Sequence, residues 1–301
     1  MRMDRQSIVK AEPYGYAQLS RDIHVLQQLH SSVEAAYIGI SVLGKPIPAL
    51  RIGSGPRQLH VNAAVHANEW ITTPLVMKFV EEYMHAYKTG QPFRGEDAAA
   101  LYKKTTLWVV PMVNPDGVDL VLRGAEDDHP FRERLLAWNG GSDDFSQWKA
   151  NARGVDLNDQ FPAHWEQERD RRGMPGPAPR DYTGTEPLSE PEAAALASLT
   201  VRGKFDMVIS LHTQGEEIYW NYRDFEPPES QRWAVRMALA SGYRPVKLTG
   251  SDAGYKDWFI ERFGRPGFTV EAGSGINPLP LSSFEEIYRA VSAILAEALI
   301  G

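Results

Sequence analysis

The chain has 301 residues, 43% apolar and 24% charged, the balance of an ordinary globular protein able to bury a sizeable core. A formal charge of −7, with no basic block interleaved with aromatics, speaks against a nucleic-acid binder. There is no cysteine, so disulfides and thiolate metal sites are excluded, and nowhere do roughly 18 apolar residues run together as a membrane span requires.

Residues 15–30 (GYAQLSRDIHVLQQLH) place apolar side chains at helical spacing and predict an amphipathic helix. AAYIGISVL and PIPALRIG follow as two β segments around the turn Gly44-Lys45-Pro46. QLHVNAAV (58–65) predicts a strand, and a helical pattern runs from about Leu75 to Tyr87. TTLWVVPMV (105–113) predicts a buried strand ending in a turn, Asn114-Pro115-Asp116-Gly117. From about 124 to 187 the composition is rich in Gly, Pro and charge and predicts long functional loops, with ERDRRG (168–173) a solvated stretch. Ser189 then reads as the N-cap of a helix, with Glu192 completing a capping box. Glu216 and Glu217 read as loop charges. DMVISL (206–211) and GFTVEA (267–272) are two further strands, and a last amphipathic helix covers about 283–299. Strands alternating with helices predict a single α/β domain, 1–301, built as an α/β/α sandwich around a mostly parallel or mixed sheet.

The chemistry is positional. His66 follows QLHVNAAV, Asn114 follows TTLWVVPMV, His212 follows DMVISL, and Glu271 ends GFTV. Four polar residues thus stand at the C-terminal ends of four apolar strands, the edge where open α/β sheets bind ligands. His66-Ala67-Asn68-Glu69 is an H-x-x-E pair, and residues three apart project to one side of a helical turn. Two His and one Glu are a common ligand set of catalytic zinc, which makes His212 the natural third ligand. Glu271, before the glycine-rich turn Gly273-Ser274-Gly275, is placed to accept a proton from water beside the metal and pass it to a leaving amine. The other six histidines lie in helical faces, a strand interior or loops and read as structural or solvated.

IGISVLGKPIPALRIG, HANEW, VVPMVNPDGV, RGVDLN, SEPEAAAL, SLHTQG, GYKDW and FTVEAGSG, in this order, resemble the metallocarboxypeptidases of the carboxypeptidase A type. The resemblance implies a central, about eight-stranded mixed sheet, one Zn2+ per chain held by His66, Glu69 and His212, and Glu271 as general base and acid. It also implies that Asn158 contacts substrate. At the next position the family carries an arginine that clamps a terminal carboxylate, and this chain has Asp159. RGVDLNDQFPA is instead similar to the bacterial γ-D-glutamyl-L-diamino acid peptidases, which cut peptidoglycan stem peptides. On that basis Asp159 is expected to read an ammonium of the diamino acid. Lys256, in the GYKDW segment where the family sets side-chain specificity, is expected to pair with a carboxylate. The cation that polarises the scissile carbonyl is Lys149 if counted from Trp148, or Arg153 if chosen by side-chain chemistry, and Arg153 is preferred. Thr249 stands where the family often has a substrate-covering tyrosine, and Tyr255 is the nearest substitute.

The partner implied is a peptide or muropeptide, with no nucleic acid and no membrane; the oligomeric state is not legible. With no leader-like stretch in the first residues the expected location is the cytoplasm, or the cell wall where a leader precedes the chain. Two other readings compete: a zinc-dependent deacylase of N-acyl amino acids on the same fold, and an inactive peptidoglycan-binding or sensing module. The NPDG and GVDLN segments favour a peptidase over the first. The intact set His66, Glu69, His212 and Glu271 argues against the second.

Overall fold

A computed structural model describes residues 7–301. In chain order the elements are α1 (Tyr16–Leu29), β1 (Glu34–Ile40), β2 (Pro46–Ile52), β3 (Arg57–Ala63), α2 (Thr72–Thr89), the short hairpin β4 (Pro92–Phe93) and β5 (Glu96–Asp97), and α3 (Ala98–Lys104). After them come β6 (Thr105–Val110), α4 (Pro115–Arg123), α5 (Arg132–Trp138), α6 (Trp165–Arg172) and α7 (Pro191–Gly203). The chain ends with β7 (Met207–His212), β8 (Glu217–Tyr219), α8 (Glu229–Ser241), β9 (Arg244–Val246), α9 (Tyr255–Phe263), β10 (Gly267–Glu271) and α10 (Phe284–Ile300).

Eight strands form one mixed sheet in the order β1-β2-β6-β3-β7-β10-β8-β9. Its centre, β6-β3-β7-β10, is parallel, and the pairs β1–β2, β2–β6 and β10–β8 are antiparallel. Central parallel strands are covered on both faces, which is why β7 (MVISLH) is buried at every position and carries no polar alternation. One face packs on α2, α8 and α10 through Ile209, Leu211, Phe268 and Val270; the other packs on α7 and α9 through Val208, Leu196, Phe259 and Ile260. No helix of the described residues is long and apolar enough to cross a membrane.

Local chemistry departs from the sequence reading in three places. Asn114-Pro115-Asp116-Gly117 is the start of α4, not a free turn: the Gly117 N–H donates to Asn114 Oδ1 (3.0 Å), and Pro115 occupies the first turn, where no N–H is needed. The capping box at α7 does not form. Glu190 is the N-cap residue, the Ser189 hydroxyl donates to Gln160, and Glu192 is drawn away to accept the Val42 N–H (3.0 Å). The stretch 124–187 holds α5, α6 and a 3-10 turn, Leu157–Asp159. Within it Glu168 is buried and Arg171 and Arg172 are ion-paired, so ERDRRG is not a solvated run.

Candidate active site

His66 lies three residues beyond β3 and opens the 3-10 turn Ala67–Glu69, which turns His66 and Glu69 to the same side. The turn is fastened from behind. The Thr72 hydroxyl donates to the Glu69 carbonyl oxygen (2.8 Å) and accepts the Ala64 N–H (2.9 Å), while Asn114 donates to the carbonyl oxygens of Val65 (3.2 Å) and Ala150 (3.0 Å). On the neighbouring strand His212 is the last residue of β7, and Glu271, the last of β10, pairs with it in register. Three adjacent strands thus deliver their chemistry to one edge.

His66 Nδ1 lies 3.0 Å from Glu69 Oε1 and 3.1 Å from His212 Nδ1, and His212 Nδ1 lies 3.0 Å from Glu69 Oε2. All three residues are buried. Together they offer one carboxylate and two imidazoles to a single point. Burial pushes Glu69 up, but His66 and His212 outweigh it and hold the carboxyl well below its usual range. Burial likewise works against a proton on His66, yet Glu69 and then Asp156 lift that ring to about 9. Only one proton fits between facing nitrogens, and burial lowers His212. Three donor side chains converging on one point are the two-His, one-Glu set that a catalytic zinc takes.

Behind His66 stands a residue the sequence reading passed over. Asp156 Oδ1 lies 3.1 Å from His66 Nε2, a carboxylate of the kind that commonly orients a metal-bound histidine through its other ring nitrogen. Its position two residues before Asn158 in GVDLN was the available signal. Glu271 is pushed up to about 8, first by burial and then by the Glu69 carboxylate; a cation held by His66, Glu69 and His212 would pull it back toward the ionised form that a general base needs. Glu217, expected as a loop charge, lies on β8 directly across from Glu271 and adds to that repulsion.

The two candidate cations part company. The Lys149 carbonyl oxygen accepts the Ala67 N–H (3.0 Å), which binds its loop to the metal turn, and its ammonium acts on His66, Glu69 and Glu271. Burial would lower Lys149, but Asp156 and Glu69 hold it above its ordinary value. Arg153 is half exposed and turned to Glu190, 3.6 Å away. Of the two, Lys149 is the one whose charge bears on the metal-site residues.

The substrate-side residues are less free than the sequence suggested. Asn158 sits part-buried on the Leu157–Asp159 turn, its amide close to Gly254 at the start of α9. Asp159 is buried and ion-paired with Arg172 at 2.8 Å, so it does not stand open to a substrate ammonium. Burial and then Asp156 push its carboxyl up to about 7, against the pull of Arg172. Asp156, Asp159 and Asp181 also bring oxygens together, but Arg172 lies among them, with Glu168 (2.8 Å) and Asp181 (3.2 Å) as its other partners. Tyr255 cannot cover a substrate. It is fully buried against Phe161 and His60, with its hydroxyl 2.8 Å from Thr200 on α7. Lys256 is buried, and its ammonium donates to the Asn221 carbonyl oxygen (2.6 Å) and to Asp257. Its stem packs on Gly267 at the start of β10. Since side chains alternate along a strand, Gly267, Thr269 and Glu271 share a face, and a strip runs from Glu271 past Thr269 and its cross-strand partner Tyr219 to Lys256.

Residues 19–275 match the zinc carboxypeptidase family. The chain is 49% identical over 286 residues to γ-D-glutamyl-L-diamino acid endopeptidase 1 of Lysinibacillus sphaericus, covering 95% of this chain and 72% of that protein. It is 43% identical over 290 residues to the uncharacterized protein YqgT of Bacillus subtilis strain 168, covering 95% and 77%. The structure of bovine thrombin-activatable fibrinolysis inhibitor in complex with tick carboxypeptidase inhibitor shares the fold, with a TM-score of 0.76 at 21% identity over 96% of this chain and 97% of that one. With family, fold and a His-Glu-His site in agreement, the chain belongs to the zinc carboxypeptidase family and is a zinc metallopeptidase.

Proposed function

We propose that this chain hydrolyses the amide bond between the γ-carboxyl of D-glutamate and an L-diamino acid in peptidoglycan stem peptides. The bond is the one named for the Lysinibacillus sphaericus relative, with which this chain shares 49% of its residues over nearly its whole length. His66, Glu69 and His212 would hold the zinc, which supplies Lewis acidity toward the scissile carbonyl and acidifies water. Glu271, which the bound cation would return to its ionised form, takes the proton of the attacking water and returns it to the leaving amine. Lys149 faces the charge that develops on the carbonyl oxygen. Asp156 holds the His66 ring in place through Nε2.

The observation that carries the reading is the convergence of the three donors beside Glu271. The charges around Asp159 support the choice of bond. A free C-terminal carboxylate approaching that position meets Asp159, Asp181 and Glu168 with Arg172 already engaged, which disfavours simple C-terminal trimming. At the far end of the strip the buried Lys256–Asp257 pair offers both signs of charge, as the distal carbon of a diaminopimelyl residue does. Mass spectrometry of products from defined muropeptides tests this directly. Release of the diamino acid fragment from the γ-glutamyl bond is expected. Exclusive removal of C-terminal residues would sink the substrate assignment while leaving the peptidase intact.

A further inference from the structure

A second cation stands beside Lys149. The backbone N–H groups of Lys149 and Ala150 both donate to the Pro179 carbonyl oxygen, at 2.9 and 3.0 Å, so segment 179–182 lies directly against the loop that carries Lys149. Two further bonds fix the segment at Asp156. The Asp156 N–H donates to the Tyr182 carbonyl oxygen (2.8 Å), and the Asp181 N–H donates to Asp156 Oδ2 (3.3 Å). Asp181 is held at a φ of +67°, in the left-handed region that only a few non-glycine residues enter. Such local strain persists where the surroundings over-determine it, and it clusters at sites that bind.

Arg180 is the residue between these anchors. Its side chain is 60% exposed, and its ion-pair partner is its own neighbour, Asp181, at 3.0 Å. An exposed pair of this kind is weak and yields to a better-placed carboxylate. The Arg180 charge also bears on the Lys149 ammonium and disfavours it. Asp156 and Glu69 compensate Lys149 from within, whereas Arg180 is left exposed on the segment that lies against the Lys149 loop.

The γ-glutamyl reading, on which this inference rests, supplies an anion there. When glutamate is linked through its γ-carboxyl, its α-carboxylate stays free four bonds from the scissile carbon, roughly 5 Å in an extended chain. We propose that Arg180 binds this free carboxylate on the acyl side of the scissile bond, and so selects stem peptides whose glutamyl residue is not amidated. A planar guanidinium matches a carboxylate with two parallel hydrogen bonds and has no such match for a carboxamide.

The test compares kcat/KM on two γ-D-glutamyl–diamino acid peptides, one with the glutamyl α-carboxylate free and one with it as the carboxamide. The full chain and Arg180→Gln are each measured, with zinc content checked for both. The full chain should favour the free acid by about 10- to 100-fold, the range for a hydrogen bond to a charged group. In Arg180→Gln the ratio should fall to about 1–3, and Arg180→Lys should recover part of it. A ratio that stays at the full chain's value, including an equal loss on both peptides, overturns the role of Arg180. If the zinc-loaded full chain cleaves neither peptide, the γ-glutamyl reading itself fails and this inference falls with it.

Discussion

The metal site and the charged ground next to it are built on opposite plans. At the metal site His66, Glu69 and His212 bring donor atoms within 3.0–3.1 Å of one another, and among the described residues no lysine or arginine is ion-paired with them. Close by, Asp159, Glu168 and Asp181 gather around one arginine, Arg172, which reaches all three at 2.8–3.2 Å. Both clusters are largely buried, the first of two imidazoles and a carboxylate, the second of three carboxylates. The difference is whether the chain supplies its own counter-charge. Where it does, the cluster holds the fold together; where it does not, an ion from outside is required.

Substitutions at the metal edge should therefore cost activity, and substitutions in the paired cluster should cost stability. The largest effect is expected for Glu271→Gln, which keeps the shape and removes the proton carrier. kcat/KM should fall by about 10²–10⁴ while zinc stoichiometry by mass spectrometry stays at one per chain. Retained turnover would remove Glu271 from its role. Lys149→Met should lower kcat by about 10²–10³, whereas Arg153→Met should change it by less than about threefold. The reverse order would return the carbonyl-polarising role to Arg153. Asp156→Asn should weaken zinc binding by about 10–100-fold in a chelator competition, because His66 loses its anchor. The smallest effect is expected in the paired cluster: Arg172→Met should lower unfolding free energy in urea by about 1–3 kcal/mol, less than for a fully buried pair because the arginine is about a third exposed. A loss of zinc in that variant, with stability intact, would erase the contrast between the two regions.

The metal edge was legible in the sequence because strand ends are. An apolar run that stops at His, Asn or Glu marks both the sheet and its functional rim, and H-x-x-E carries its own geometry. Asp159 was not legible in the same way, since its meaning depends on Arg172, thirteen residues on in a stretch with no hydrophobic period. Tyr255 failed for a related reason. Its place in GYKDW is fixed, but which face of α9 it occupies is decided by packing on Thr200 and Phe161. Ser189 and Glu192 lost their local capping roles to partners far away in the chain, Gln160 and Val42. Lys149 and Arg153 could not be separated by chemistry, only by which way the loop turns.

The central position of β3 and β7 carries one more consequence. They are inner, hydrogen-bonded neighbours with three further strands on either side, so the two histidines hang from the part of the molecule least able to open locally. Metal escape must then proceed through the mouth of the site and not through breathing of the scaffold. The outer strands stay free to be rewritten for other substrates without loosening the grip on the ion.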